Sequence, residues 1–145
     1  MMFHSLLGQN PQLGLKKQLE KYQNNPTEEL NLFGLGLPDF PDYFLQTIAP
    51  HTSLIKLVSL DFNKLPDVPH EFFSIPNLTE FSISNNSITT LPDQLLSLPL
   101  RSLNISHNNI TNSAELTEKI GKLCVNLTEL DMRCTQSFNR SKYIY

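Results

Sequence analysis

Apolar residues recur along the middle of the chain in a phrase that alternates and then turns. In PNLTEFSISNNSITTLP (76–92) and PLRSLNISHNNITNS (99–113) the phrase reads LxxLxLxxNxL, so that Leu78, Phe81, Ile83, Asn86 and Ile88 match Leu100, Leu103, Ile105, Asn108 and Ile110. Ile55, Val58, Leu60, Asn63 and Leu65 satisfy the same template. A weaker copy begins at Thr27, with Leu30, Leu32 and Leu37 in place and Leu35 where the asparagine belongs. A last, partial copy holds Leu127, Leu130 and Met132, with Thr135 at the asparagine position and Ser137 at the final apolar one. Starts at 27, 55, 78, 100 and 127 are separated by 28, 23, 22 and 27 residues. Three full copies with aligned asparagines make a repeat, where a single copy would mean little.

The fourth and sixth positions of each copy lie two apart, which puts both side chains on one face of a strand. That face is the expected core, and positions 3, 5 and 7 point to the other side. One strand and its turn cannot bury their own apolar edge, so the copies must stack on one another. The return segments differ. Residues 66–77 contain Pro66, Pro69 and Pro76, which favours an irregular or 3₁₀ path over an α-helix. Over 113–124, Leu116, Ile120 and Cys124 recur at helical spacing behind Asn112 as cap and Glu115 as its capping-box partner. Upstream, Asn10-Pro11 opens a helix with Leu15, Leu19 and Tyr22 on one face, weakened by Gly14. This helix is expected to cover the first copy's open apolar edge.

The template, and spacings within or close to the range of about 20–29 residues, resemble the leucine-rich-repeat superfamily over residues 27–137. The tails PDVPHEFFSIPNL (66–78) and TTLPDQLLSLPL (89–100) are similar to the LPxxLxxLxxL spacing of intracellular repeats in Ras-binding scaffolds. The resemblance implies an α/β fold: a short solenoid in a right-handed horseshoe arc, with a parallel concave sheet of about five strands and an N-terminal capping helix. The implied organisation is a helical cap over 1–26, repeats over 27–137 and a tail over 138–145. It also implies that Asn63, Asn86 and Asn108 form a buried ladder. A bending chain leaves backbone groups unpaired, and a short amide both donates and accepts.

Composition narrows the function. The chain has 145 residues, 25 of them leucine and 14 asparagine; it is 39% hydrophobic and 17% charged, enough to bury a core. A net charge of −3 without a block of like charges gives no footprint for nucleic acid and no polybasic membrane patch. No apolar run approaches the roughly 18 residues of a membrane span. The start, MMFHSLLGQNP, lacks the features of a secretory signal, and two cysteines, Cys124 and Cys134, are too few to staple a secreted domain. These features point to the cytoplasm. Against them stand six N-x-[ST] sequons at Asn77, Asn85, Asn104, Asn109, Asn126 and Asn139, most of which the repeat phrase itself accounts for.

Catalytic chemistry is not legible. His4, His51, His70 and His107 share no ligand spacing with one another or with the cysteines, so no metal or cofactor is expected. Phosphate-loop, nucleophile-elbow and zinc-protease motifs are missing, and GLGL (34–37) is a lone fragment. Ser106 and His107 are neighbours whose side chains diverge on a strand, so they make no nucleophile–base pair.

The expected function is therefore protein or peptide binding on the concave face, as a signalling scaffold or regulatory subunit. Position 3 supplies Glu29, Leu57, Glu80, Ser102 and Glu129; position 5 supplies Asn31, Ser59, Ser82, Asn104 and Asp131. Position 7 supplies Phe33, Asp61, Ser84, Ser106 and Arg133, and position 8 Gly34, Phe62, Asn85, His107 and Cys134. Phe33, Leu57 and Phe62 break this small polar surface. Rimmed by Glu29, Glu80 and Asp61, they are the candidate anchor for a partner with basic character, although position 8 often tucks inward. Two other readings are a recognition arm of a larger protein, suggested by SFNRSKYIY following so soon after the fifth copy, and a secreted or receptor ectodomain, suggested by the sequons.

Overall fold

The computed structural model describes residues 10–135. Residues 1–9 of the expected cap, with His4, and at the other end Ser137, Asn139 and the tail from 138 lie outside the described residues.

Five three-residue strands follow one another in sequence and in space: β1 (Glu29–Asn31), β2 (Leu57–Ser59), β3 (Glu80–Ser82), β4 (Ser102–Asn104) and β5 (Glu129–Asp131). All pairs are parallel, with Glu29, Leu57, Glu80, Ser102 and Glu129 in one row. The register read from the leucines is therefore the register of the sheet. Parallel strands need a crossover between them, and each repeat supplies one, so that one repeat is one coil. The ladder runs past the strand ends: the N–H groups of Leu32, Leu60, Ile83 and Ile105 donate to Ser59, Ser82, Asn104 and Asp131 of the next coil at 2.8–2.9 Å.

Positions 1, 4 and 6 are buried from the second coil to the fourth: Ile55, Val58, Leu60; Leu78, Phe81, Ile83; Leu100, Leu103, Ile105. An aromatic seam joins the first three coils. Phe44 meets Phe72 at 5.4 Å between ring centroids, Phe72 meets Phe81 at 5.8 Å, and Phe40 packs on both Phe44 and Phe72. Phe44 and Ile48 come from α2 (Phe44–Ile48), which runs on into a 3₁₀ turn, Ala49–His51. The sequence reading did not anticipate this helix, which occupies the 28-residue first step.

Asn63, Asn86 and Asn108 are buried in one row. Each Oδ1 accepts an N–H from the preceding coil: Leu37 at 2.9 Å, Leu65 at 3.1 Å and Ile88 at 3.1 Å. Each Nδ2 donates to a carbonyl of the preceding coil (Leu32, Leu60, Ile83) and to one in its own (Leu60, Ile83, Ile105). At the fifth coil Thr135 keeps the within-coil bond, its Oγ1 donating to Met132 O at 2.8 Å.

The returns follow their composition. His70–Ser74 and Asp93–Ser97 are 3₁₀ turns, as the prolines of the first return require. The fourth return is α3 (Ala114–Leu123). Its cap is Ser113, whose Oγ accepts from Leu116 N–H at 3.1 Å, and not Asn112. Glu115 consequently sits one position too early for a capping box and lies 3.5 Å from Lys119 instead. The buried face is Leu116, Ile120 and Leu123; Cys124, expected there, is the half-buried C-cap, because the helix stops before another turn is complete.

The first helix, α1 (Pro11–Asn24), buries Leu15, Leu19 and Tyr22 and is capped by Asn10. It seals the open side of β1: Gln18 Nε2 donates to Asn31 O at 3.1 Å and Tyr22 OH to Thr27 O at 2.6 Å. Its Gly14 has a packing reason, since a Cβ there would stand 3.3 Å from Leu35 Cδ2.

Candidate functional site

The side chains of the outer sheet face form a grid of five coils by positions 3, 5, 7 and 8. Position 5 is a row of short polar groups. In three coils it turns back on its own chain: Asn31, Asn104 and Asp131 each accept, through Oδ1, the N–H of Phe33, Ser106 and Arg133 two residues on, at 3.0–3.2 Å. In the third coil the corresponding N–H, that of Ser84, is met from the neighbouring coil by Asp61 Oδ1 at 2.9 Å, which also accepts from Ser82 Oγ at 2.6 Å. Asp61, expected on the rim of the patch, is thus half-buried and tied to the adjacent coil.

Position 7 does not point outward throughout. Phe33 and Arg133 are exposed, but Ser84 and Ser106 are buried. The strands end at position 5, so the alternation that governs positions 4 to 6 no longer applies at 7. Ser106 Oγ donates to Asn104 Oδ1 at 2.7 Å.

Position 8 carries a backbone signature that the sequence reading missed. Gly34, Phe62, Asn85, His107 and Cys134 all have positive φ, between 55° and 70°. Each coil passes through the left-handed region at its strand-to-turn corner, and that aims the side chain outward. The signal was present in Gly34 and Asn85, the residue types that tolerate this region best. A phenylalanine there is unusual. Phe62 does not tuck inward: it is 53% exposed, and Phe33 of the neighbouring coil is 54% exposed. Their rings meet at 5.2 Å between centroids, tilted by 55°.

The structure therefore brings Phe33 and Phe62 together and sets Leu57 apart. Leu57, half-buried at position 3 of the second coil, is flanked in register by Glu29 and Glu80. Phe33 is four positions further along its coil, at most about 13 Å in the strand direction because the strand ends at Asn31. Glu29, Glu80 and Glu129 are exposed in that row. Among the described residues none of the three forms an ion pair, whereas Glu28 is held by Lys56 at 3.3 Å and Asp131 by Arg133 at 2.7 Å. The Arg133 side-chain hydrogen bond keeps the Asp131 carboxyl below the ordinary carboxylate range, against a smaller opposing effect of burial. Burial pushes the Tyr22 hydroxyl up. What the face offers chemically is two tilted rings in contact, one leucine, carboxylates without an ion pair among the described residues, and a floor of small polar groups.

Residues 53–110 match a family model described as Leucine rich repeat, and residues 99–123 match a second, described as Leucine Rich Repeat. The chain is 31% identical to the Leucine-rich repeat and calponin homology domain-containing protein 1 of Mus musculus, over 83% of this chain and 19% of that protein. It is 30% identical to the Transforming growth factor beta activator LRRC33 of Danio rerio, over 73% of this chain and 14% of that protein. It spans less than a fifth of the length of either curated relative.

Proposed function

Because the chain belongs to the leucine-rich-repeat superfamily, whose repeats are generally non-enzymatic protein-interaction modules, we propose that its outer sheet face binds a protein or peptide partner. The observation that carries this reading is the Phe33–Phe62 pair, two rings in contact and each more than half exposed. Exposed aromatics on a rigid element are favoured anchors, because they bring large contact area at little conformational cost. The role is that of a scaffold or regulatory subunit that holds its partner without transforming it. Its place of action is the cytoplasm, a reading that rests on the low cysteine content of the chain, two in 145 residues. No helix of the described residues is long and apolar enough to cross a membrane.

The test is affinity capture with the wild-type chain beside a Phe33→Ser/Phe62→Asn variant of unchanged far-UV circular dichroism. Proteins captured by the first and lost with the second support the reading; identical capture by both removes this face from consideration.

A second reading makes the repeats the recognition arm of a longer protein. The matched regions amount to 19% and 14% of the two relatives, which favours it. Immunoblotting native extracts decides: a polypeptide migrating at 16.5 kDa excludes it.

A further inference from the structure

Taking the binding face proposed above as the premise, we infer that its occupant is a basic segment in extended conformation. An aliphatic or aromatic side chain of that segment sits on Phe33 and Phe62, and a lysine or arginine two to about four residues away sits over Leu57, between Glu29 and Glu80.

The chemistry comes from charge and spacing together. Lys56, the cation next in sequence to Leu57, pairs with Glu28 at 3.3 Å, and among the described residues neither Glu29 nor Glu80 forms an ion pair. Leu57 stands between those two carboxylates in strand register and is half-buried. Such a site suits a side chain with an apolar stem and a charged head: the methylenes pack on the leucine and the head reaches the carboxylates. Phe33 and Glu29 belong to the same coil, four positions apart; the strand ends at Asn31 and the chain then turns, so they are at most about 13 Å apart along the strand direction. An extended partner lying along the strands covers that distance in two to about four residues. The net charge of −3 disfavours a second copy of this chain as the occupant, since like-charged surfaces would be brought together.

The experiment is a random-peptide display selection on the immobilised full chain, run in parallel on Phe33→Ser/Phe62→Asn and on Glu29→Gln/Glu80→Gln. All substituted positions are exposed, and far-UV circular dichroism with thermal unfolding checks that each variant folds. Peptides selected on the wild type are expected to pair an apolar residue with a lysine or arginine two to about four positions away. Selection on the glutamine variant keeps the apolar residue and loses the basic bias, and a synthetic winner binds that variant roughly 2- to 30-fold more weakly. Peptides that depend on Phe33 and Phe62 but carry no basic bias overturn the occupant and leave the binding face standing. Peptides that bind the Phe33→Ser/Phe62→Asn variant as well as wild type overturn the face itself, and so does a selection that enriches nothing. Self-association of the wild type, lost in the Phe33→Ser/Phe62→Asn variant on size-exclusion chromatography, would overturn the basic segment in favour of a second copy.

Discussion

The backbone N–H of Leu65 donates to Asn86 Oδ1 at 3.1 Å, across 21 residues of sequence. Among the described residues this is the acceptor for that N–H, whereas the carbonyls served by the same side chain have second donors. Leu60 O also receives Asn63 Nδ2, Ile83 O receives Asn108 Nδ2, and Ser84 O receives the N–H of Phe62. The ladder is redundant for its acceptors and not for its donor.

Asn86→Ala is therefore expected to strand one buried N–H and cost about 1–3 kcal/mol, read by denaturant unfolding. Asn86→Asp keeps an acceptor for Leu65 but faces a carboxylate toward the carbonyls of Leu60, Ile83 and Ser84. Its folded-state pKa is raised, so this variant gains stability as pH falls and loses it as pH rises through that value. A variant equally unstable at all pH values would contradict this account.

Phe62→Asn exchanges a ring for the residue that the next coil already carries at the same corner, Asn85, with φ of 59° and 55° respectively. Relief of left-handed strain, worth about 1–2 kcal/mol for ordinary residues, offsets loss of the exposed ring pair, worth about 0.5–1.5 kcal/mol. Thermal unfolding should be unchanged or slightly improved while partner binding is lost. A drop of several degrees would show that Phe62 is there for stability.

Ser113→Ala should cost about 1 kcal/mol, the usual worth of a helix N-cap, and Asn112→Ala close to nothing. Equal effects would return the cap to Asn112.

Asp131 titrates below the ordinary carboxylate value because Arg133 holds it. A depressed folded-state pKa contributes stability above the unfolded value, roughly 3.9, that is lost as pH falls through the folded one. The advantage of the wild type over Asp131→Asn should shrink on acidification below that value, and Arg133→Ala should raise the Asp131 midpoint measured by NMR. An unmoved midpoint would refute the assignment.

How far the sequence could be read depends on where one rule governs the chain. Leu30, Val58, Phe81, Leu103 and Leu130 were placed in register because a two-residue period and a fixed asparagine leave one alignment. The three asparagines were placed for the same reason. Beyond position 5 the strand rule stops, and Ser84, Ser106 and Asp61 went where hydrogen bonding took them rather than where alternation did. The candidate patch was half legible: Phe33 and Phe62 are together, but Leu57 belongs with the glutamates, because spacing along a strand is not visible in a list of apolar residues. Helix α2 escaped notice because Phe44 and Ile48 make only one turn of periodicity. The cap was misplaced by one residue because Asn112 and Ser113 are both good caps, and only the bond to Leu116 chooses between them.

The left-handed corner of each coil separates inheritance of shape from invention of contacts. Its side chains project away from the ladder, so this column can be rewritten from glycine to amide to ring to imidazole to thiol without disturbing how the coils stack. A library at 62, 85, 107 and 134, drawn from residues that tolerate left-handed backbone, would then sample new specificities on an unchanged frame.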